Sequence, residues 1–132
     1  MKIRIKGNSV RFRLTQTEVK TICEKDRVTE KTQFNEAQFI YGVKASNDYD
    51  SLHASFFDHG IMLFVPKDAL SDWYTNDRVG FYHTQILNNG QKLELTLEKD
   101  FVCLDNRTED ESDNYPNPRG QENIDSKVFN PE

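Results

Sequence analysis

The stretch KIRIKGNSVRFRL, residues 2–14, alternates charged and apolar side chains on both sides of a Gly-Asn pair. An apolar residue at every second position is typical of a strand with one buried face, and Gly-Asn is a two-residue turn signal. The stretch therefore predicts a β-hairpin with one apolar and one basic face. The candidate anion-binding residues on the basic face are Lys2, Arg4, Lys6, Arg11 and Arg13. A solvated strand face without a ligand has the same pattern.

Short elements follow this hairpin up to residue 104. The sequence from Thr15 to Glu18 matches a capping box, and the apolar stripe after it predicts a helix over about residues 15–24. Further apolar runs predict about eight strands in all, and a second short helix is expected from Pro66 to about Thr75. Two short helices are too few to cross over between parallel strands. We therefore expect an α+β fold built on a mostly antiparallel sheet, curled or barrel-like.

The charge divides the chain into two regions. Residues 1–104 carry 14 Lys or Arg and 14 Asp or Glu, whereas residues 105–132 carry 3 and 8, so the net charge of −5 comes from the second region alone. Its Pro, Gly, Asn and acidic residues predict a tail that is extended or partly disordered. We therefore expect a single α+β domain over residues 1–104 and an acidic C-terminal tail over residues 105–132, with Tyr115 or Phe129 as possible anchors.

The length of the apolar runs and the net charge bear on the location and partners of the protein. The longest continuous apolar run has five residues, 61–65, which is too short to span a membrane, and the charged start lacks the apolar core of a signal peptide. These features predict a cytoplasmic protein that does not bind membranes. Nucleic acid is not the expected partner, but the net charge does not exclude an anionic ligand, because the tail alone accounts for that charge.

Cysteine and histidine give weak signals. Cys23 lies on the helix stripe and is interpreted as core packing, whereas Cys103 is a candidate reactive thiol because a cation follows it in the sequence. The three histidines, His53, His59 and His83, lack the spacing of metal ligands, so we expect no metal site from them. The common nucleotide-binding and hydrolase motifs are also missing from the sequence.

A second predicted hairpin, around the Asn-Asn-Gly turn at residues 88–90, has charged residues on one face. If the sheet closed with the charged faces inside, they would line a polar lumen that resembles the triphosphate-tunnel hydrolases. That resemblance implies Mg²⁺ held by Glu94 and Glu98, with phosphates bound by Arg4, Lys6, Arg11 and Arg13. The opening strand here has no Glu, where that family has a Glu-x-Glu-x-Lys type strand.

Three segments carry a second resemblance. KIRIKGNSVRFRLTQTEV at residues 2–19, EKDFVCL at residues 98–104 and EDESDNYPNP at residues 109–118 are similar to a family of small, single-domain bacterial proteins classed only as a domain of unknown function. The resemblance implies a bacterial cytoplasmic protein. It brings no activity, cofactor or catalytic residue to these positions.

Two hypotheses about function follow, and the choice between enzyme and non-enzyme stays open. The first is a non-enzymatic binding or interaction module whose basic hairpin meets an acidic group, either its own tail or an acidic partner or ligand. The alternative is a Mg²⁺-dependent phosphate or polyphosphate hydrolase with a charged cavity in the sheet. A homodimer, joined through an open sheet edge or through Trp73 and Tyr74, is a further possibility.

Overall fold

The computed structural model describes residues 1–101 and 112–116. The prediction for Cys103, and that for the tail apart from residues 112–116, lie outside the described residues. The elements of the described part are, in chain order, β1 (Lys2–Lys6), β2 (Ser9–Leu14), α1 (Gln16–Lys25), β3 (Arg27–Gln33), β4 (Gln38–Ser46), β5 (His53–Phe57), β6 (Gly60–Pro66), a 3-10 helix (Lys67–Leu70), β7 (Gly80–Ile86) and β8 (Lys92–Lys99).

The strands form two sheets of four. The first sheet has the order β1-β2-β8-β7 and the second has the order β3-β4-β6-β5. Each consists of two antiparallel hairpins whose second strands, β2 with β8 and β4 with β6, pair in parallel. The α+β class and the predominance of antiparallel pairing agree with the prediction. The single curled or barrel-like sheet is wrong, because the described strands form two sheets that do not close into a barrel.

The prediction of a single sheet failed because it did not allow for parallel strand pairs. The prediction assumed that parallel neighbours need a helical crossover between consecutive strands. Here β5 leads the chain from β4 to β6, and the whole second sheet lies in the chain between β2 and β8. Complete strands therefore provide the crossovers, and no further helix is required.

The core lies between the inner faces of the two sheets. The first sheet contributes Phe12 and Leu97, the second contributes Val43 and Leu63, and all four are fully buried in one cluster. Strand β6, which is apolar on both faces, lies in the interior of its sheet between β4 and β5 as its sequence predicts.

Helix α1 covers one side of this core and begins at the predicted capping box. The backbone N–H of Glu18 donates to the Thr15 hydroxyl over 3.3 Å, and the Thr15 N–H donates to the Glu18 carboxylate over 2.9 Å. Both bonds satisfy donors that a helix start leaves without a partner. The inward stripe consists of Val19 and Ile22, which are fully buried. With ten residues, α1 is not long enough to cross a membrane, and no other described helix is.

The second predicted helix is replaced by the 3-10 helix and a series of turns. Leu70 and Trp73, which are both buried, are three residues apart, a spacing that suits the three residues per turn of a 3-10 helix as well as an α-helix. The Trp73 side chain is fully buried, and its indole N–H donates to the Arg78 carbonyl over 2.8 Å. Trp73 therefore belongs to the core, and its predicted role as a surface aromatic at a dimer contact is wrong.

The hairpin at residues 2–14 offers a direct test of this architecture. We expect Phe12→Ala to lower the free energy of unfolding by about 3–5 kcal/mol, because its side chain is fully buried between the sheets. Ile5→Ala on the same face is the matched control and should cost less than about 1 kcal/mol, because Ile5 is 58% exposed. Urea unfolding followed by Trp73 fluorescence measures both values, and equal losses would contradict the arrangement of the sheets.

Candidate functional site

The five predicted anion-binding residues lie on one face of the first sheet. In the register of β1 with β2, Lys2 is opposite Arg13 and Arg4 is opposite Arg11, while Lys6 is opposite Ser9. Because paired residues point to the same face and neighbours along a strand alternate, all five side chains project away from the core. The structure therefore brings together every residue of the predicted set. We call Lys2, Arg4, Lys6, Arg11 and Arg13 the basic band.

Strand β8 continues this outward face next to the basic band. Glu98 is in register with Arg13, and its Oε1 atom lies 3.6 Å from Arg13 Nε and 3.9 Å from Arg11 Nε. The Tyr82 hydroxyl on β7 donates to Glu98 Oε2 over 3.0 Å. Desolvation, and then the neighbouring Glu98 carboxylate, raise the pKa of Tyr82 above its usual value. Glu98 thus connects two guanidinium groups and a phenol across three strands.

The second predicted carboxylate, Glu94, lies on the same face but has a different partner. It accepts a hydrogen bond of 2.7 Å from the Thr84 hydroxyl. Glu94 and Glu98 are four residues apart on an extended strand, which separates their Cα atoms by about 13 Å. In the described part of the chain, no three His, Cys, Asp or Glu side chains gather in a way that could hold a metal ion.

The setting of these carboxylates differs from the lumen expected for a hydrolase. The charged face points outward from the pair of sheets, since the residues between the charged ones, such as Phe12 and Leu97, fill the core. The expectation of charged side chains inside a closed sheet is therefore wrong. The Mg²⁺-dependent activity itself stays an untested alternative.

Residues 112–116 pack against the domain at one edge of the basic band. The Tyr115 N–H donates to the Asp100 carbonyl over 2.7 Å, while the Asp100 carboxylate lies 3.3 Å from Lys2 Nζ. At the start of α1, the Gln16 N–H donates to the Asp113 carbonyl over 3.0 Å. Asp100 is buried, and its own N–H donates to the Leu14 carbonyl, so both strands of the basic hairpin connect to this region.

Tyr115, one of the two anchors suggested by the sequence, holds this segment through its ring. The Lys99 amine lies 5.1 Å from the centre of the Tyr115 ring and 5.7 Å from that of Trp73. It also donates a hydrogen bond of 2.6 Å to the Asn76 carbonyl. Burial lowers the pKa of Lys99. The ammonium group is thus enclosed by two aromatic rings and a carbonyl, an arrangement that stabilises a cation away from water.

Sequence reasoning missed Lys99, although a signal for it exists. Leu93, Leu95 and Leu97 occupy alternate positions on the inner face of β8, and the next inward position is residue 99. A lysine at the next inward position of such a strand indicates a side chain that lies at the edge of the core. Its buried ammonium group then needs hydrogen-bond or ring partners.

Cys23 and His53 both pack against other residues of the described part of the chain. Cys23 packs against the core and its thiol donates to the Leu70 carbonyl over 3.3 Å, and burial raises the pKa of that thiol. The His53 ring is stacked on Tyr49, with 4.1 Å between the ring centres. The interpretation of Cys23 as core packing is confirmed.

Comparison with known proteins identifies the family of this chain. A family model described as "Family of unknown function (DUF7009)" matches residues 1–119, so the chain belongs to this family. No curated protein and no solved structure matches the chain. The expected relation to a family of unknown function is confirmed, and the bacterial and cytoplasmic origin that the resemblance implied stays a prediction.

The Tyr115 hydroxyl gives a second prediction. It is buried and has no hydrogen-bond partner within residues 1–101 and 112–116. Because an unsatisfied buried hydroxyl is costly, we expect Tyr115→Phe to raise the free energy of unfolding at pH 7 by about 1 kcal/mol. Tyr74→Phe is the matched control, because Tyr74 is 39% exposed. A Tyr115→Phe variant that is less stable than the wild type would show that the hydroxyl makes a favourable hydrogen bond, and would contradict this prediction.

The same substitution should alter the pH dependence of stability. Burial raises the pKa of Tyr115 to about 12, from an ordinary value of 10.0. The unfolded chain therefore loses this proton at a lower pH than the folded chain, and wild-type stability should fall as the pH rises from 10 to 12. Tyr115→Phe should remove this part of the decrease, and urea unfolding at a series of alkaline pH values measures it.

Proposed function

We propose that this member of the DUF7009 family is a non-enzymatic interaction module that binds an acidic chain segment on the outward face of its first sheet. The observation that supports the proposal is the strand register, which collects the five cations of the basic band on the outward face of the first sheet. The ligand could belong to another protein or to the chain's own acidic tail.

The charge of this face differs from that of the whole chain. The outward positions of its strands hold six cations, namely the five of the basic band and Lys92. They also hold the two carboxylates of Glu94 and Glu98, so the net charge of these positions is +4. The chain as a whole has a net charge of −5. Such a separation of charge favours an anionic ligand at this face and steers its approach.

The spacing of the basic band fits an extended ligand. Lys2, Arg4 and Lys6 occupy alternate positions of β1, so they recur at roughly 7 Å along the strand. An extended peptide presents side chains on one side at the same repeat. A segment with acidic residues at alternate positions could therefore meet several cations at once while it lies along the strand.

Glu98 holds the guanidinium groups of Arg11 and Arg13 in fixed orientations for such a ligand. It lies close to the Nε edges of both Arg11 and Arg13, and a carboxylate in that position restrains the plane of a guanidinium group. Each exposed ion pair contributes only about 0–1 kcal/mol, so useful affinity requires several pairs and should weaken as salt increases.

The chain's own tail is one possible occupant because of where it is attached. The sequence Glu109-Asp110-Glu111 immediately precedes Ser112, and residues 112–116 pack beside Lys2 and Asp100. A segment tethered this close to a binding face has an effective concentration on the order of millimolar, so it competes with external ligands. Binding of a free acidic peptide therefore reports on the tail as well.

Location and assembly complete the proposal. The family resemblance supports a place in the bacterial cytoplasm, where acidic protein segments are available as partners. A homodimer would form most simply at a sheet edge, and the edge strands are β1 and β7 in the first sheet and β3 and β5 in the second.

The test is binding of a fluorescein-labelled decaglutamate peptide, followed by fluorescence anisotropy at low salt. We expect the double variant Arg4→Gln/Arg11→Gln to bind roughly tenfold more weakly than the wild type, because it removes two charges from the centre of the face. The control is Lys25→Gln/Lys31→Gln, which removes the same charge from exposed positions on α1 and β3. Equal losses in the two variants would show non-specific attraction and refute the assignment.

A variant of the full-length chain distinguishes the two occupants. In Glu109→Gln/Asp110→Asn/Glu111→Gln, three acidic charges are removed and the length is kept. If the tail competes for the basic band, this variant should bind decaglutamate several-fold more tightly than the wild type. Unchanged affinity would assign the face to an external partner alone.

A further inference from the structure

We propose that a cavity beside β7, separate from the basic band, binds a small zwitterion with a carboxylate and an ammonium group, such as an apolar α-amino acid. The cavity has a volume of about 520 Å³. This lies in the range typical of small-molecule sites. Three segments form its walls: residues 46–52 between β4 and β5, residues 66–69 around the 3-10 helix, and residues 78–82 at the start of β7.

Arg78 supplies the carboxylate-binding group on the β7 wall. Its guanidinium carbon lies 4.3 Å from the centre of the Phe81 ring, and its Nε donates to the Gly80 carbonyl over 3.0 Å. Its backbone is held as well, since its N–H donates to Asn76 Oδ1 and its carbonyl accepts from the Trp73 indole. A guanidinium that is stacked and bonded through Nε keeps a fixed plane, and its two Nη groups then match the two oxygens of a carboxylate.

Asp50 and Asp68 supply the ammonium-binding groups on the other two walls. Neither carboxylate forms an ion pair within the part of the chain that the structure describes, whereas the remaining cation of the lining, Lys67, has its ammonium 3.2 Å from Asp26 Oδ2. The cavity thus holds one available guanidinium on one wall and two available carboxylates on the others. The groups left available, one guanidinium and two carboxylates, present both signs of charge on different walls, which suits a ligand that has two opposite charges.

The apolar part of the lining indicates what the rest of the ligand is. Leu52 and Phe81 are buried core residues that also border the cavity, and Pro66 and Ala69 lie beside them. An aliphatic side chain of the ligand can contact these residues while its charged groups meet Arg78 and the two aspartates. A ligand with only negative charge would bring no ammonium group to Asp50 and Asp68. The repulsion between its charge and these two carboxylates disfavours simple anions.

The experiment compares L-leucine with two analogues, each of which lacks one of the charged groups. L-Leucinamide lacks the carboxylate and 4-methylpentanoate lacks the ammonium group. Each is titrated into the ¹⁵N-labelled full-length chain, and the amide chemical shifts of residues 46–52 and 78–82 are followed. We expect saturable shifts with leucine and roughly tenfold weaker binding for each analogue, because each loses one charge-assisted contact. No saturable shift with leucine, or equal affinity for all three, would overturn the proposal.

Variants assign the two charged groups of the ligand to their walls. Arg78→Gln should abolish the preference for leucine over leucinamide, and Asp50→Asn/Asp68→Asn should abolish the preference for leucine over 4-methylpentanoate. Arg78→Lys keeps the charge without the planar fork and should retain part of the first preference. The control Arg27→Gln, at an exposed position on β3 outside the cavity, should leave all three affinities unchanged. Loss of both preferences in the control would overturn the assignment.

Discussion

The parallel ladder between β2 and β8 is the interaction on which the rest of the structure depends. It pairs Ser9–Leu14 with Glu94–Lys99 and joins segments 85 residues apart in the chain. On its inner side it sets Phe12 beside Leu97 in the core, and on its outer side it sets Arg13 beside the carboxylate of Glu98. A single set of backbone hydrogen bonds therefore builds both the packed interior and the charged face. A shift of one residue in this register would exchange the two.

Local patterns in the sequence predict the parts of the fold that depend on neighbours in the chain. The basic hairpin, the capping box at Thr15 and the buried character of β6 were all predictable, because each depends on residues close together in the sequence. The parallel pairs and the division into two sheets were not. A period of two indicates which face of a strand is buried, but it carries no information about which strand lies next to it. The apolar spacing of Leu70 and Trp73 was equally ambiguous between two kinds of helix.

The same limit applies to the charged face. Its five cations could be placed on one side of the hairpin from alternation alone, whereas the link from Glu98 to Arg11, Arg13 and Tyr82 requires the pairing of β2, β8 and β7. The cavity beside Arg78 was beyond prediction for a similar reason, because its walls come from three segments that approach one another only in the folded chain. A sequence therefore indicates the side chains that one hairpin brings together, but it does not indicate those brought together by pairing or packing between hairpins.

All four strands of the second sheet lie in the sequence between β2 and β8 of the first sheet, so the ribosome completes the second sheet before the first. Strands β3 to β6 are consecutive, so the second sheet can form as soon as Pro66 has left the ribosome, whereas β2 must wait for β8. During that interval β2 has an unpaired edge, and an unpaired edge of this kind promotes association between incomplete chains. Arg11 and Arg13 place positive charge along that edge, and like charges repel another copy of the same strand. In the growing polypeptide, Arg11 and Arg13 thus place charge on the strand whose edge stays unpaired longest, which is where gatekeeper charges oppose association.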